Sequence, residues 1–167
     1  QLAEYEYEPQ PIVEKTPLPK ADQSLIDQAI RLVNEAKRPY IYIGGGAAGL
    51  GMGEDVLALA DKIGAYVGRT FMGLSAIPDG HERFLGMQGM HGHYASSMAQ
   101  KDADLILAVG VRFSDRATGN TAKYATNSKI IQLDPDFSEI NKNVKVDVGI
   151  IADVYDSFRR IAAGAES

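Results

Sequence analysis

Residues 39–49 read PYIYIGGGAAG, and the fold turns on how that stretch is understood. Residues 40–44 alternate aromatic and β-branched side chains up to the first glycine, the pattern of a buried strand. Two more glycines, Ala47, Ala48 and Gly49 follow, and then an amphipathic helical run over residues 52–63. Gly44, Gly46 and Gly49 satisfy G-x-G-x-x-G. A strand that turns sharply into a helix needs glycine, and bare backbone amides at such a turn can touch a phosphate. The strand before and the helix after give the motif its weight. A tight strand-to-helix turn without a ligand satisfies the same residues, because doubly wound folds often carry glycine there.

Upstream, residues 24–37 form a helix whose apolar stripe is Leu25, Ile26, Ala29, Ile30, Val33 and Ala36, with Asp22 or Ser24 as its cap. Arg38-Pro39 ends it, since proline disfavours helix in the residue before it. Downstream, Gly64 stops the second helix and residues 65–70 form a second strand. Residues 71–89 read as irregular around a Pro78-Asp79-Gly80 turn, and a stretch of that kind is usually functional. A helix over 92–100 leads to a third strand over 104–110, DLILAVG, apolar enough to be buried on both faces. A polar loop over 111–126, a strand over 129–134, a short helix near 138–142, a strand over 146–151 and a helix over 154–163 complete the chain. Strands alternating with helices predict an α/β domain over 21–167: a doubly wound, mostly parallel sheet with helices on both faces, Rossmann-like and similar to the DHS-like nucleotide-binding domains. Residues 1–20 hold four of the seven prolines and read as an interdomain linker, with Tyr5, Tyr7, Ile12 and Val13 lying against a surface.

Composition excludes several function classes. A net charge of −5 without a basic block lacks the footprint of a nucleic-acid binder. With no cysteine there is no disulfide, thiolate zinc site or cysteine nucleophile, which fits a cytoplasmic protein. No apolar run is long enough for a membrane span and no signal peptide opens the chain. Gln1 at the start is expected to mark a piece of something longer. His91 and His93 form H-x-H without patterned carboxylates, so no metal site is expected. Neither a G-x-S-x-G elbow nor a P-loop is present, and no catalytic residue is assigned. Asp115 and Arg116 are expected to form an ion pair that shapes their loop.

In such a sheet, ligands sit outside the carboxyl ends of the strands. The residues there are Gly44, Gly45 and Gly46; Thr70, Phe71 and Met72; Gly110, Val111, Arg112 and Arg116; Asp134 and Pro135; Asp153 and Val154. Bare backbone and arginines suit a diphosphate, carboxylates suit hydroxyls or adenine donors, and Phe and Met suit flat rings. The NAD fingerprint wants an acidic residue near the end of the second strand, where this chain has none. Arg69 in that place leaves an NADP reading open.

Four segments carry a resemblance: the three glycines after a strand, LGMQGMHG over 85–92, VGVRFSDRATG over 109–119 and IIQLDPDFSEINKN over 130–143. Together they strongly resemble the central domain of the acetohydroxyacid synthase (acetolactate synthase) catalytic subunit, over about residues 29–154. The resemblance implies the middle of a three-domain, thiamine diphosphate-dependent enzyme of branched-chain amino-acid biosynthesis. Such an enzyme decarboxylates pyruvate and joins the two-carbon unit to a second 2-oxo acid. It also implies FAD in this domain, doing no net redox work, with thiamine diphosphate and Mg²⁺ held by the flanking domains of the same chain. Its implied partners are those domains, further copies in a homo-oligomer and, in some members, a regulatory subunit. By motif, the resemblance places Gly44, Gly45 and Gly46 against the flavin nucleotide, with Thr70, Phe71 and Met72 beside it. Gln88, Met90 and His91 form the opposing loop; Gly110, Val111, Arg112, Arg116 and Ala117 follow the third strand; Asp134, Pro135, Glu139, Asp153 and Val154 border the adenosine. Ser114, Ala117 and His93-Tyr94 depart from the usual pattern. A related carboligase such as glyoxylate carboligase, a purely structural middle domain, or an NADP- or ADP-binding module is the alternative. The fragment alone is expected to be inactive.

Overall fold

The computed structural model describes residues 8–11 and 16–167. The linker residues Tyr5, Tyr7, Ile12 and Val13 lie outside the described residues. Residues 8–11 and 16–20 carry no regular structure, and the Pro19 carbonyl accepts a 2.9 Å bond from the Asp153 amide.

Among the described residues six strands form one sheet: β1 (Pro39–Ile43), β2 (Tyr66–Arg69), β3 (Phe84–Met87), β4 (Leu105–Val109), β5 (Lys129–Leu133) and β6 (Val148–Ile150). Their order is β3-β2-β1-β4-β5-β6 and every pairing is parallel. Parallel neighbours need crossovers, and α2 (Gly53–Ile63), α3 (Tyr94–Asp102) and α4 (Asp115–Thr118) lie on them, while α1 (Gln23–Glu35) precedes β1 and α5 (Val154–Gly164) follows β6. The order reverses between β1 and β4, so those two central strands part their outgoing chains and open a crevice at their carboxyl ends.

The side-chain period of two divides each central strand between two cores. Ile41, Ile43, Leu105, Leu107, Val109, Ile131 and Leu133 face one way, into α1, α2 and α5. Tyr40, Tyr42, Ile106, Ala108 and Ile130 face the other, against Ala103, Val111, Phe113, Tyr124 and Val144. The first helix buries Ile26, Ala29 and Val33, the middle of its stripe, and Asp22 caps it by accepting from the Ser24 amide at 2.7 Å.

The alternation of elements follows the sequence reading, with three corrections. The stretch over 71–89 is not wholly irregular: β3 sits inside it as an edge strand. It pairs on one side only, breaks register against Val67 and Arg69, and carries Gly86 at φ +82°, so it shows no continuous apolar run. The loop over 111–126 is polar in composition, yet Val111, Phe113 and Tyr124 are buried and roof the second core. The short helix near 138–142 is a single 3₁₀ turn, Phe137–Glu139.

Candidate nucleotide-binding cleft

At the crevice, the chain leaving β1 lies directly on the chain leaving β4. The Gly44 amide donates to the Val109 carbonyl at 2.9 Å and the Gly46 amide to the Gly110 carbonyl at 3.1 Å. A Cβ on Gly44 would collide with the Gly110 carbonyl, and one on Gly46 would stand 2.9 Å from the Gly110 Cα. Gly110, at φ +61°, has backbone atoms of Gly46 and Ala47 within 2.7 Å of any Cβ it might carry. The glycines are therefore required by backbone-on-backbone packing. This corrects the simplest reading of the motif, in which all three amides lie bare. Two are engaged; among the described residues only the Gly45 amide of the three has no protein acceptor, and Gly45 is exposed. Nor does the chain enter the helix at once. Turns occupy residues 45–51, closed by Ala47, Ala48 and Leu50 amides on the Gly44, Gly45 and Ala47 carbonyls, before α2 begins.

After β2, the Thr70 hydroxyl accepts from the Gly73 amide at 3.1 Å and caps a 3₁₀ turn, Phe71–Gly73. That turn holds Phe71 and Met72 out in solvent, 69% and 72% exposed. Arg69 does not reach toward a ligand. Its guanidinium donates to the Leu74 carbonyl at 2.6 Å and the Ile77 carbonyl at 3.3 Å, stands 3.5 Å from Asp79 and lies over the Phe84 ring.

The segments after β3 and β4 meet. The Met90 amide donates to the Arg116 carbonyl at 2.9 Å, and Gly89, at φ +109°, lies so close to Arg116 and Ala117 that a Cβ would be 2.8 Å from that carbonyl. Met90 and His91 point outward, Gln88 is buried with its amide on the Arg69 carbonyl, and Ala117 is half-buried. Phe113 takes a positive φ of 47° and wedges between Tyr42 and Tyr124, with ring centroids 6.3 and 5.9 Å away. That strained residue turns the chain so that Arg112 and Arg116 emerge exposed while Val111 is buried. Asp115 forms no ion pair with Arg116; its carboxylate accepts the Arg116 backbone amide at 2.8 Å and starts α4.

After β5, Asp134 is nearly buried, and desolvation pushes its carboxyl above the usual carboxylate range. A bond from the Asp136 amide opposes that shift, the Glu139 and Asp136 charges add to it, and Arg112 opposes it. Glu139 is buried as well, with Lys142 at 2.8 Å and the Arg112 guanidinium at 3.7 Å. Pro135 is exposed. Asp153 caps α5 through the Asp156 amide, and Val154 is in the core, so it can meet a ligand only through backbone.

One residue escaped the sequence reading. Gln132 is fully buried within β5, donating to the Val111 carbonyl at 2.9 Å and the Glu139 carbonyl at 3.2 Å. It ties the loops after β4 and β5 together beneath Arg112. A glutamine among the apolar residues of a central strand was the available signal.

Taken together, the expected residues do gather on the carboxyl edge, apart from the inward side chains of Val111 and Val154. Eight of the ten exposed large apolar side chains of the described residues follow strands on that edge, Phe71, Met72, Met90 and Phe137 the most open of them after Tyr94. With Arg112, Arg116 and the free Gly45 amide, the edge offers donors for an anion beside apolar surface for flat rings. Among the described residues no three His, Asp or Glu come close enough to hold a metal ion, and no helix is long and apolar enough to cross a membrane.

Comparison with known proteins adds a match to the family described as thiamine pyrophosphate enzyme, central domain, over residues 26–161. The acetolactate synthase large subunit of Buchnera aphidicola subsp. Schizaphis graminum is 41% identical over 137 residues, 82% of this chain and 24% of that protein. Acetolactate synthase 1, chloroplastic, of Nicotiana tabacum is 42% identical over 138 residues, 82% of this chain and 20% of its own length. The isozyme 3 large subunit of Escherichia coli K12 is 41% identical over 128 residues, 77% of this chain and 22% of its own. The chain thus spans about a fifth to a quarter of these relatives.

Proposed function

The chain belongs to the thiamine pyrophosphate enzyme central-domain family, and we propose that it is the FAD-binding central domain of an acetolactate synthase large subunit. The observation that carries the cofactor assignment is the carboxyl edge, where exposed Phe71, Met72 and Met90 stand on the same edge as exposed Arg112 and Arg116. The residues fit a flavin dinucleotide. Arg112, Arg116 and the Gly45 amide bind the diphosphate; Thr70, Phe71, Met72, Met90 and His91 flank the ring; Asp134, Pro135, Glu139, Asp153 and the Val154 backbone border the adenosine. Gly44, Gly46, Gly110, Val111, Ala117 and Gln88 shape the floor from behind. FAD here supplies a flat ring system and a diphosphate around which loops order, without net redox work.

The NADP alternative loses its anchor. A 2′-phosphate at Arg69 would have to displace two carbonyls and Asp79 from a guanidinium already engaged.

In the parent, flanking domains carry thiamine diphosphate and Mg²⁺ and perform pyruvate decarboxylation and carboligation, in a cytoplasmic homo-oligomer open to a regulatory subunit. No residue of this domain is assigned a chemical step. The test is the mass of the cofactor extracted from the full-length protein, with FAD and NADPH titrations of this chain followed by fluorescence. FAD in the extract and saturable FAD binding are expected. An extract without flavin, or NADPH binding more tightly than FAD, overturns the assignment.

A further inference from the structure

Gln132 lies inside β5, fully buried, so it touches no ligand; its one amide nevertheless holds the loops that follow β4 and β5. Gln132 Nε2 donates to the Val111 carbonyl at 2.9 Å and to the Glu139 carbonyl at 3.2 Å, which uses both of its N–H groups. Among the described residues neither carbonyl accepts from another donor. The next carbonyl along, that of Arg112, accepts from Asn143 Nδ2 at 3.2 Å. Two successive carbonyls are thus held by side chains from β5 and the loop after it, and Phe113 follows them at φ 47°. The Arg112 side chain is held far more loosely. It is 77% exposed, and the Glu139 carboxylate stands 3.7 Å from its guanidinium. An exposed contact of that length does little to fix a long side chain. The direction in which Arg112 leaves the chain is therefore set by its backbone, and the backbone is set by Gln132 and Asn143.

We propose that Gln132, with Asn143, is a positioning residue that aims Arg112 at the diphosphate of the bound nucleotide; the inference rests on the reading of the carboxyl edge as an FAD cleft. A side chain of similar length without N–H groups would fill the same space in β5 and leave the Val111 and Glu139 carbonyls unmet. Backbone carbonyls buried without a partner are costly, so the segment would turn them toward water. Phe113 is where that turn would occur, because its left-handed conformation persists only while the surrounding contacts enforce it. Arg112 would then swing with the segment. A charge-assisted hydrogen bond weakens steeply once distance and angle leave a narrow range, so a displaced guanidinium loses the anion even though its charge is unchanged.

A double-mutant cycle tests this, with FAD titrated by flavin fluorescence into the full-length protein after its bound cofactor is removed. The proteins compared are the native one, Gln132→Met, Arg112→Ala and the pair combined. Gln132→Met should weaken FAD binding about fivefold and Arg112→Ala about tenfold or more. The combined variant should bind within about twofold of Arg112→Ala alone, because an arginine that is absent cannot be misplaced. A purely structural Gln132 would lower stability and leave the two losses multiplying. Multiplying losses, or a Gln132→Met protein that binds FAD as tightly as the native one, overturn the proposal and leave the flavin reading standing. A native protein that takes up no FAD overturns that reading and this inference together. Should Gln132→Met fail to fold, Asn143→Ala decides, since Asn143 is exposed and its loss spares the core. It should weaken FAD about twofold to threefold and add nothing further once Arg112 is alanine. A loss that persists in the Arg112→Ala background, or no loss at all, overturns the proposal.

Discussion

The two faces of the sheet are built differently. One is aliphatic and closed: α1, α2 and α5 cover Ile41, Ile43, Leu107, Val109, Ile131 and Leu133, and Phe158 of α5 is fully buried among them. The other carries tyrosines and glutamines and is covered by α3 at one end and by a loop at the other. Among the described residues, five of the seven buried side-chain polar atoms without a hydrogen bond of ordinary geometry belong to that second face: those of Tyr42, Tyr124, Gln132, Gln88 and Gln100. Buried polar groups left unmet cost stability, so a fold concentrates them where something other than stability is served. The closed face holds the domain together. The carboxyl edge carries the residues proposed to bind the flavin.

Phe158→Ala should be the most damaging of the substitutions that probe this contrast. It removes a fully buried ring from the closed face, and a loss of about 3–5 kcal/mol in urea unfolding is expected. A loss below about 1 kcal/mol would show that this face is not the stabilising one.

Arg112→Ala probes the edge instead. Its side chain is 77% exposed and its contact with Glu139 is long, so stability should hardly change. FAD binding should weaken by about 1.5–3 kcal/mol, the worth of a charge-assisted hydrogen bond to a diphosphate. Unchanged FAD affinity would remove Arg112 from the cleft.

Asp134→Asn separates charge from shape beneath that arginine. The folded chain holds the Asp134 proton more tightly than the unfolded chain, whose reference value is 3.8. Its stabilising contribution is thus full below that value and is lost as pH rises through the higher folded value. The asparagine can still accept from the Asp136 amide, so the variant should gain stability over the native chain as pH rises from 3.8 toward neutral, with the advantage vanishing below 3.8. A difference independent of pH would show that Asp134 is not desolvated.

The smallest effects come from the paired tyrosines of β1. Tyr40 shares a 2.8 Å hydrogen bond with Ser96, whereas the Tyr42 hydroxyl has no partner. Tyr40→Phe should cost about 1 kcal/mol, and Tyr42→Phe should be neutral or slightly stabilising. Equal losses in thermal unfolding would mean that Tyr42 has a bound partner in solution.

The sequence by itself determined the layer order. Apolar runs in the central strands, the stripe of α1 and glycine at the end of β1 are local patterns, and local patterns dictate strand, helix and turn. They also bring the residues after each strand to one edge, because parallel strands all end on the same side. Tertiary structure decided what those residues do. That the amides of Gly44 and Gly46 are occupied depends on the carbonyls of Val109 and Gly110, far along the chain. That Arg69 is tied down depends on carbonyls in a loop whose path no periodicity encodes. The edge strand β3 was hidden for the same reason, since a short strand paired on one side takes its conformation from its neighbour β2. The pairing of Gln88 with Gln100 joins two segments through a fold neither specifies alone. Periodicity records which side of an element is buried; it carries no record of which distant backbone atom a buried or exposed group will meet.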